Sequence, residues 1–169
     1  MTDEQREFAE FFRGSWEPCL RAVVAVVGSS QLAEDQVAEA FARAWVSWRK
    51  VRRHPAPRAW VVRTALNSGA SWWRRRRREL PLADHDVTAP GELGGGLDAT
   101  LLTAIWGLPP RQREVIALRI FLDLDTATIA SQLGIEAGTV RMHLSRGIAA
   151  LRHELTPTTT MEAGSDRPR

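Results

Sequence analysis

Cysteine occurs once, at Cys19, which excludes an internal disulfide. A lone thiol fits a reducing compartment, and a cytoplasmic location is expected. Lysine is also nearly missing, at one residue against 22 arginines, a ratio that gene base composition alone can produce. No run of about 18 apolar residues occurs, so no membrane insertion is expected. The opening stretch, MTDEQREFAE, is acidic and polar, without the basic-then-apolar order of a signal peptide. His54, His85, His143 and His153 are scattered without metal-ligand spacing, so neither metal nor cofactor is expected. There is no P-loop, no G-x-S-x-G elbow, no catalytic cysteine setting and no paired carboxylates, so no enzyme is expected. Nothing alternates with period two, which argues against a sheet.

What remains is helical pattern and segregated charge. Of 169 residues, 44% are apolar, enough for one ordinary domain or two small ones. Net charge is only +3, but residues 1–42 carry −5 and residues 43–78 carry +12 with no acid at all. Residues 79–136 carry −6, and residues 137–155 carry +2. Two basic zones separated by an acidic one imply two polyanion contacts on one chain.

Residues 4–27 place apolar groups three and four apart, from Phe8 to Val27, which predicts an amphipathic helix. Pro18 should kink or split it near Ser15, acting as an N-cap, and Gly28 should end it. A second helix is expected after Ser30, with Glu34 and Asp35 in its first turn and Val37, Phe41, Ala44, Trp45 and Trp48 inward. RRHPAP breaks it. A third starts at Pro57 and runs through Trp60 and Leu66 towards Arg78. Residues 80–97, with two prolines and four glycines, read as a flexible linker. The expected organisation is all-α: two small helical domains at 1–79 and 98–155, with a disordered Thr-rich tail at 156–169.

In the second domain, Asp98 caps one helix and Pro109–Pro110 open another with Val115, Ile116 and Ile120 inside. A short helix with Ile129 and Leu133 then meets a turn at Gly134, and a last helix buries Val140, Leu144, Ile148 and Leu151. That is helix-turn-helix spacing. It turns Arg141, Met142, Ser145 and Arg146 outward, and arginine can bond guanine edges bidentately in the major groove. An ordinary αα-hairpin with solvated arginines has the same spacing. In the first domain Trp60, Trp72 and Trp73 sit among cations, and aromatic faces stack on unpaired bases while cations hold phosphates. Core packing of those indoles is the competing reading. The acidic helix exposes Glu34, Asp35 and Glu39, a poor DNA face and a plausible protein-docking face.

AEDQVAEAFARAW followed by PRAWVVRTALNSGASWWRRRRR resembles the second conserved region of extracytoplasmic-function sigma factors. LPPRQREVIALRIFLDLDTATIASQLGIEAGTVRMHLSRGIAALR is similar to their fourth region. The resemblance implies a bacterial RNA polymerase subunit for promoter recognition and opening. It implies docking of Asp35, Glu39, Phe41 and Trp45 on the clamp helices of the largest subunit, a second contact at the polymerase flap, and control by an anti-sigma partner. It implies −10 contacts by Trp60, Arg63 and Asn67, and by Arg74, Arg75, Arg76, Arg77 and Arg78. It implies −35 contacts by Thr139, Arg141, Met142, Ser145 and Arg146. Three departures stand out: RKVRRHPA is shorter than the family's usual base-capturing loop, Ala38 replaces a usual glutamine, and LDTATIA alters the usual helix cap. An autonomous helix-turn-helix regulator and a general single-strand-binding module are the other readings of the residues.

Overall fold

The structure is a computed structural model that describes residues 1–79 and 98–157, with side chains described for 1–69 and 98–157. The described residues form helices α1 (Asp3–Val27), α2 (Ser30–Val46), α3 (Trp48–Val51) and α4 (Pro57–Glu79) in the first half. The second half holds α5 (Ala99–Trp106), α6 (Pro110–Leu122), α7 (Thr126–Leu133) and α8 (Ala137–Leu155). No strand occurs among them. The expected linker and nearly all of the expected tail lie outside the described residues, as do the side chains of Trp72, Trp73 and the arginine run.

α1 opens with a capping box: Gln5 N–H donates to Thr2 Oγ1 at 3.2 Å, and Thr2 N–H donates to Gln5 Oε1 at 2.7 Å. It ends at Gly28, whose φ of 78° only glycine adopts freely. Between those ends it runs unbroken through Pro18, so the expected split near Ser15 does not occur. Ser15 is not a cap but a buried residue of the helix interior. Proline lacks the N–H that would bond the carbonyl four residues back, here that of Gly14. A side chain supplies the missing donor: Arg58 Nη2 donates to Gly14 O at 2.8 Å.

α2 is capped by Ser29, whose hydroxyl accepts from Leu32 N–H at 3.3 Å. Glu34 and Asp35 therefore fall beyond its first turn, which contains no acid, contrary to the sequence expectation. α2 ends at Val46, and Trp48 belongs to the short α3. Val37, Phe41, Ala44 and Trp48 are buried as expected, but Trp45 is 41% exposed. The break after Val46 explains that split, because it turns Trp48 inward while Trp45 stays at the rim against Phe8, with ring centroids 5.1 Å apart. Phe8, Phe11, Phe12, Trp16, Phe41, Trp45 and Trp48 form one linked aromatic cluster of α1 with α2 and α3.

α4 packs on α1 and α2. Among its described side chains the buried residues are Ala59, Val61, Val62, Ala65 and Gly69. At Gly69 a Cβ would lie 2.3 Å from Gln36 Nε2, so glycine leaves room for the amide end of the Gln36 side chain. Neither amide atom of Gln36 finds a partner, although the residue is buried.

In the second half α6 is central, with Val115, Ile116, Ala117 and Leu118 buried. α8 crosses it at Gly147, where a Cβ would stand 2.8 Å from Ile116 Cγ1. The close approach of glycine displaces the expected contact: Ile148 is 40% exposed, and Ile120 is 45% exposed on the outer side of α6. The two halves pack together through α1 and α6. Trp106 lies over Gly28, where any Cβ would collide with its indole. Arg113 stacks on Trp106 at 4.8 Å and donates to Val26 O at 2.9 Å and Leu108 O at 3.0 Å. α1 has no basic residue in its last turn, so Arg113 brings the cation that its C-terminal carbonyls favour.

Gln36→Leu should stabilise the protein. An unsatisfied buried polar group costs about 1–3 kcal/mol, and leucine fills similar space without one. A net gain of about 1 kcal/mol should raise the unfolding temperature by roughly 2–4 °C. A lower melting temperature in calorimetry would mean that the amide is satisfied after all, by solvent.

Candidate nucleic-acid interface

α4 carries Trp60, Arg63 and Asn67 at steps of three and four, which puts them on one face. Arg63 and Asn67 are exposed, while Trp60 is half-buried against the core. The indole therefore anchors the face and the two polar side chains present it. α4 continues as helix to Glu79, so the backbone of residues 74–78 extends the same rod. The side chains of Arg74, Arg75, Arg76, Arg77 and Arg78 lie outside the described residues.

The connection into α4 is short because most of it is helical. α3 and a turn occupy the stretch, and Ala56 N–H donates to His54 Nδ1 at 3.0 Å. Arg52 is paired with Glu7 at 2.9 Å and Arg49 with Glu4 at 3.4 Å, tying the connection to the first turns of α1. These exposed pairs contribute little stability each. Arg49, although paired, stays 85% exposed, so it faces outward together with Lys50 and Arg53.

The helix-turn-helix of the second half is α7, Gly134 and α8. Gly134 has φ 64°, and no heavy atom lies near where its Cβ would be. The glycine is there for the left-handed backbone alone. LDTATIA alters the family's usual cap, and the cap here is Asp125, whose Oδ1 accepts from Thr128 N–H at 2.7 Å. On α8, Arg141, Met142, Ser145 and Arg146 are exposed on one side and Val140 is fully buried on the other. Thr139 is half-buried near the helix start, where free N–H groups favour phosphate.

Asp35 and Glu39 are exposed one turn apart on α2, and Glu39 pairs with Arg43. Trp45 extends this side. Phe41 does not: it is 3% exposed and rings it touches include Phe11, Phe12 and Trp16. It supports the face from behind and cannot itself meet a partner.

Burial pushes the Cys19 thiol up to about 12, against the smaller opposing pull of Arg58. Among the described residues no group of three His, Cys, Asp or Glu side chains could hold a metal. None of the described helices is long and apolar enough to cross a membrane.

Residues 17–79 match sigma-70 region 2, and residues 99–151 match sigma-70, region 4. The RNA polymerase sigma-E factor of Streptomyces coelicolor is 31% identical over 90% of this chain and 88% of its own. The chain belongs to the extracytoplasmic-function sigma factors. The ECF RNA polymerase sigma factor SigL of Mycobacterium tuberculosis is 31% identical over 81% of this chain and 80% of its own. The sigma factor RpoE solved with the anti-sigma factor NepR from Bartonella quintana shares the fold. Its TM-score is 0.72, at 21% identity over 89% of this chain and 97% of that one. The protein is a sigma factor that directs promoter recognition and transcription initiation.

Sequence reasoning found the exposed polar positions of α4 and α8 but missed Arg58, Trp106 and Arg113. For Arg58 a signal existed: a proline inside a helical pattern implies a carbonyl in need of another donor. For Trp106 and Arg113 none did, because their partners lie in the other half.

The Asp125 cap has a pH signature. Hydrogen bonds from Thr128, first its backbone N–H and then its side chain, hold the Asp125 carboxyl below its ordinary 3.8. A depressed folded value stabilises the fold above the unfolded value, and this contribution fades as pH falls through the folded one. Asparagine caps comparably but does not titrate. Asp125→Asn should therefore match wild type at neutral pH and lose less stability on acidification below about 3.8. Parallel acid-unfolding curves for the two proteins would contradict the assignment.

Proposed function

We propose that the sigma factor divides its work among three faces. Asp35, Glu39 and Trp45 on α2 dock on the clamp helices of the largest polymerase subunit. Trp60, Arg63, Asn67 and the arginines at 74–78 on α4 engage and open the −10 element. Thr139, Arg141, Met142, Ser145 and Arg146 on α8 read the −35 element. The observation that carries the division is the separation of exposed charge: acids on α2, arginines on the outward sides of α4 and α8. A duplex repels the first face and attracts the other two. The flap contact is assigned to the second half, where Ala104, Leu108, Ala150 and Leu155 line an apolar groove. The expected units 1–79 and 98–155 enclose the two matched regions. The protein acts in the cytoplasm, contributes no chemistry of its own and is held in check by an anti-sigma protein. The last point is supported by a fold shared with sigma factors solved with anti-sigma partners.

Docking is tested by charge reversal. Asp35→Arg with Glu39→Arg should abolish co-purification with core polymerase while circular dichroism stays unchanged. Undiminished co-purification would remove α2 from the docking assignment.

The −35 assignment is tested on α8. If Arg141 or Arg146 pairs with a base, its replacement by alanine should cost about 1–3 kcal/mol and relax preference at one position. If it holds phosphate, affinity should fall about equally for all sequences and the salt dependence should flatten. Wild-type transcription from the double alanine variant would refute both.

A further inference from the structure

The face of α4 is useful only if the helix is held in one rotation. A helix turns about 100° per residue, so a slip of one residue would swing the whole face that carries Arg63 and Asn67 by more than a quarter-turn. Much of what α4 buries is small or smooth: Ala59, Val61, Val62, Ala65 and Gly69. Such residues let helices approach, and apart from the half-buried Trp60 and Leu66 they offer little that resists sliding or rotation. Directional contacts must supply that resistance, and they converge on one residue.

Arg58 lies in the first turn of α4, two residues before Trp60. Its Nη2 donates to Gly14 O at 2.8 Å, and its Nε donates to Ser15 Oγ at 3.1 Å. Its own carbonyl accepts from the Cys19 thiol at 3.7 Å. Three residues of α1 thus close around one residue of α4. Ser15 and Cys19 are fully buried, so their bonds to Arg58 are part-buried, while the bond to Gly14 O lies at the exposed surface. The Gly14 carbonyl is available because Pro18 has no N–H to occupy it. The proline defect in α1 and the arginine of α4 are two parts of one joint.

We propose that Arg58 is the positioning residue of the −10 face, and that Pro18 serves it by leaving the Gly14 carbonyl open. The proposal rests on the reading of α4 as the −10 helix. Arg58 does not touch DNA in this role. It sets the rotation of α4 about its axis, and through it the direction of Arg63 and Asn67.

Proline makes the proposal separable from a merely structural role. Pro18→Ala restores an N–H that bonds Gly14 O within α1, so it removes a helix defect while weakening the joint. Stability and function should move in opposite directions. The test uses holoenzyme reconstituted from core polymerase and full-length sigma, on a promoter mapped from transcript 5′ ends. Permanganate reactivity reports melting on duplex and pre-melted templates.

Pro18→Ala should keep or raise the unfolding temperature, bind core polymerase as wild type does, and melt duplex promoter less well, with recovery on the pre-melted template. Arg58→Ala should reduce duplex melting about ten-fold, the size of one charge-assisted hydrogen bond. In the Pro18→Ala background the same change should cost only about two-fold, because contacting residues are not additive. Arg58→Lys has one cationic group where Arg58 presents two separated donors, so it should fall between arginine and alanine. Wild-type melting by Pro18→Ala, or an equal loss from Arg58→Ala in both backgrounds, would overturn the proposal. Asn67→Ala is run beside them. If it melts promoter normally, the reading of α4 has failed. If Asn67→Ala is impaired and the Pro18–Arg58 pair shows no coupling, only the positioning role has failed.

Discussion

α1 has to remain one helix across Pro18, and the rest of the molecule depends on that continuity. Its early turns hold the aromatic cluster with α2 and the acids that pair with Arg49 and Arg52. Its middle receives Arg58 from α4, and its last turn receives Arg113 from α6. A break at Pro18 would separate these attachments into pieces free to rotate. An interior proline costs a helix about 3 kcal/mol. Here burial on both sides and a borrowed guanidinium offset that cost. The same device ties the opening turn of α4 to the centre of the first half.

Two arginines perform the same service at different points of α1. Arg58 satisfies a carbonyl exposed by proline, and Arg113 satisfies one exposed by the helix end. Guanidinium suits both sites because its fork reaches two acceptors at once. Arg113 also stacks on Trp106, which occupies the space left by Gly28. These bonds leave loose ends: Trp106 Nε1 and Arg113 Nε are buried without partners. The contact between the halves is therefore specific in shape but incomplete in hydrogen bonding, so it holds one arrangement without locking it at great depth.

Much of the fold was legible because period and punctuation agree. Gly28, Pro57, Asp98, Pro110 and Gly134 stand at helix ends, and each acts there for a local reason: left-handed φ, preset φ or a side-chain acceptor. The misreadings share one cause. Ser15, Trp45, Ile120 and Ile148 sit where a helix period suggests one role and a neighbouring element imposes another. Gly147 shows how: it lets α8 approach Ile116 so closely that the adjacent isoleucine is turned out.

For the candidate interfaces, the outward position of Arg141, Met142, Ser145 and Arg146 could be taken from helical spacing alone, since a residue opposite a buried stripe must face outward, whereas Arg63 and Asn67 came from the family resemblance. The charge segregation needed only counting. Spacing could not say which carbonyl Arg58 would reach, nor that Phe41 would be enclosed by rings from α1. Those outcomes depend on residues more than twenty positions apart meeting across helix–helix contacts, and only the packed structure brings them together. The sequence by itself determined the helices and their outward sides, because both follow from neighbours within a turn or two. The tertiary structure alone decided how those sides are aimed, because aim depends on which distant donor fills an unpaired carbonyl.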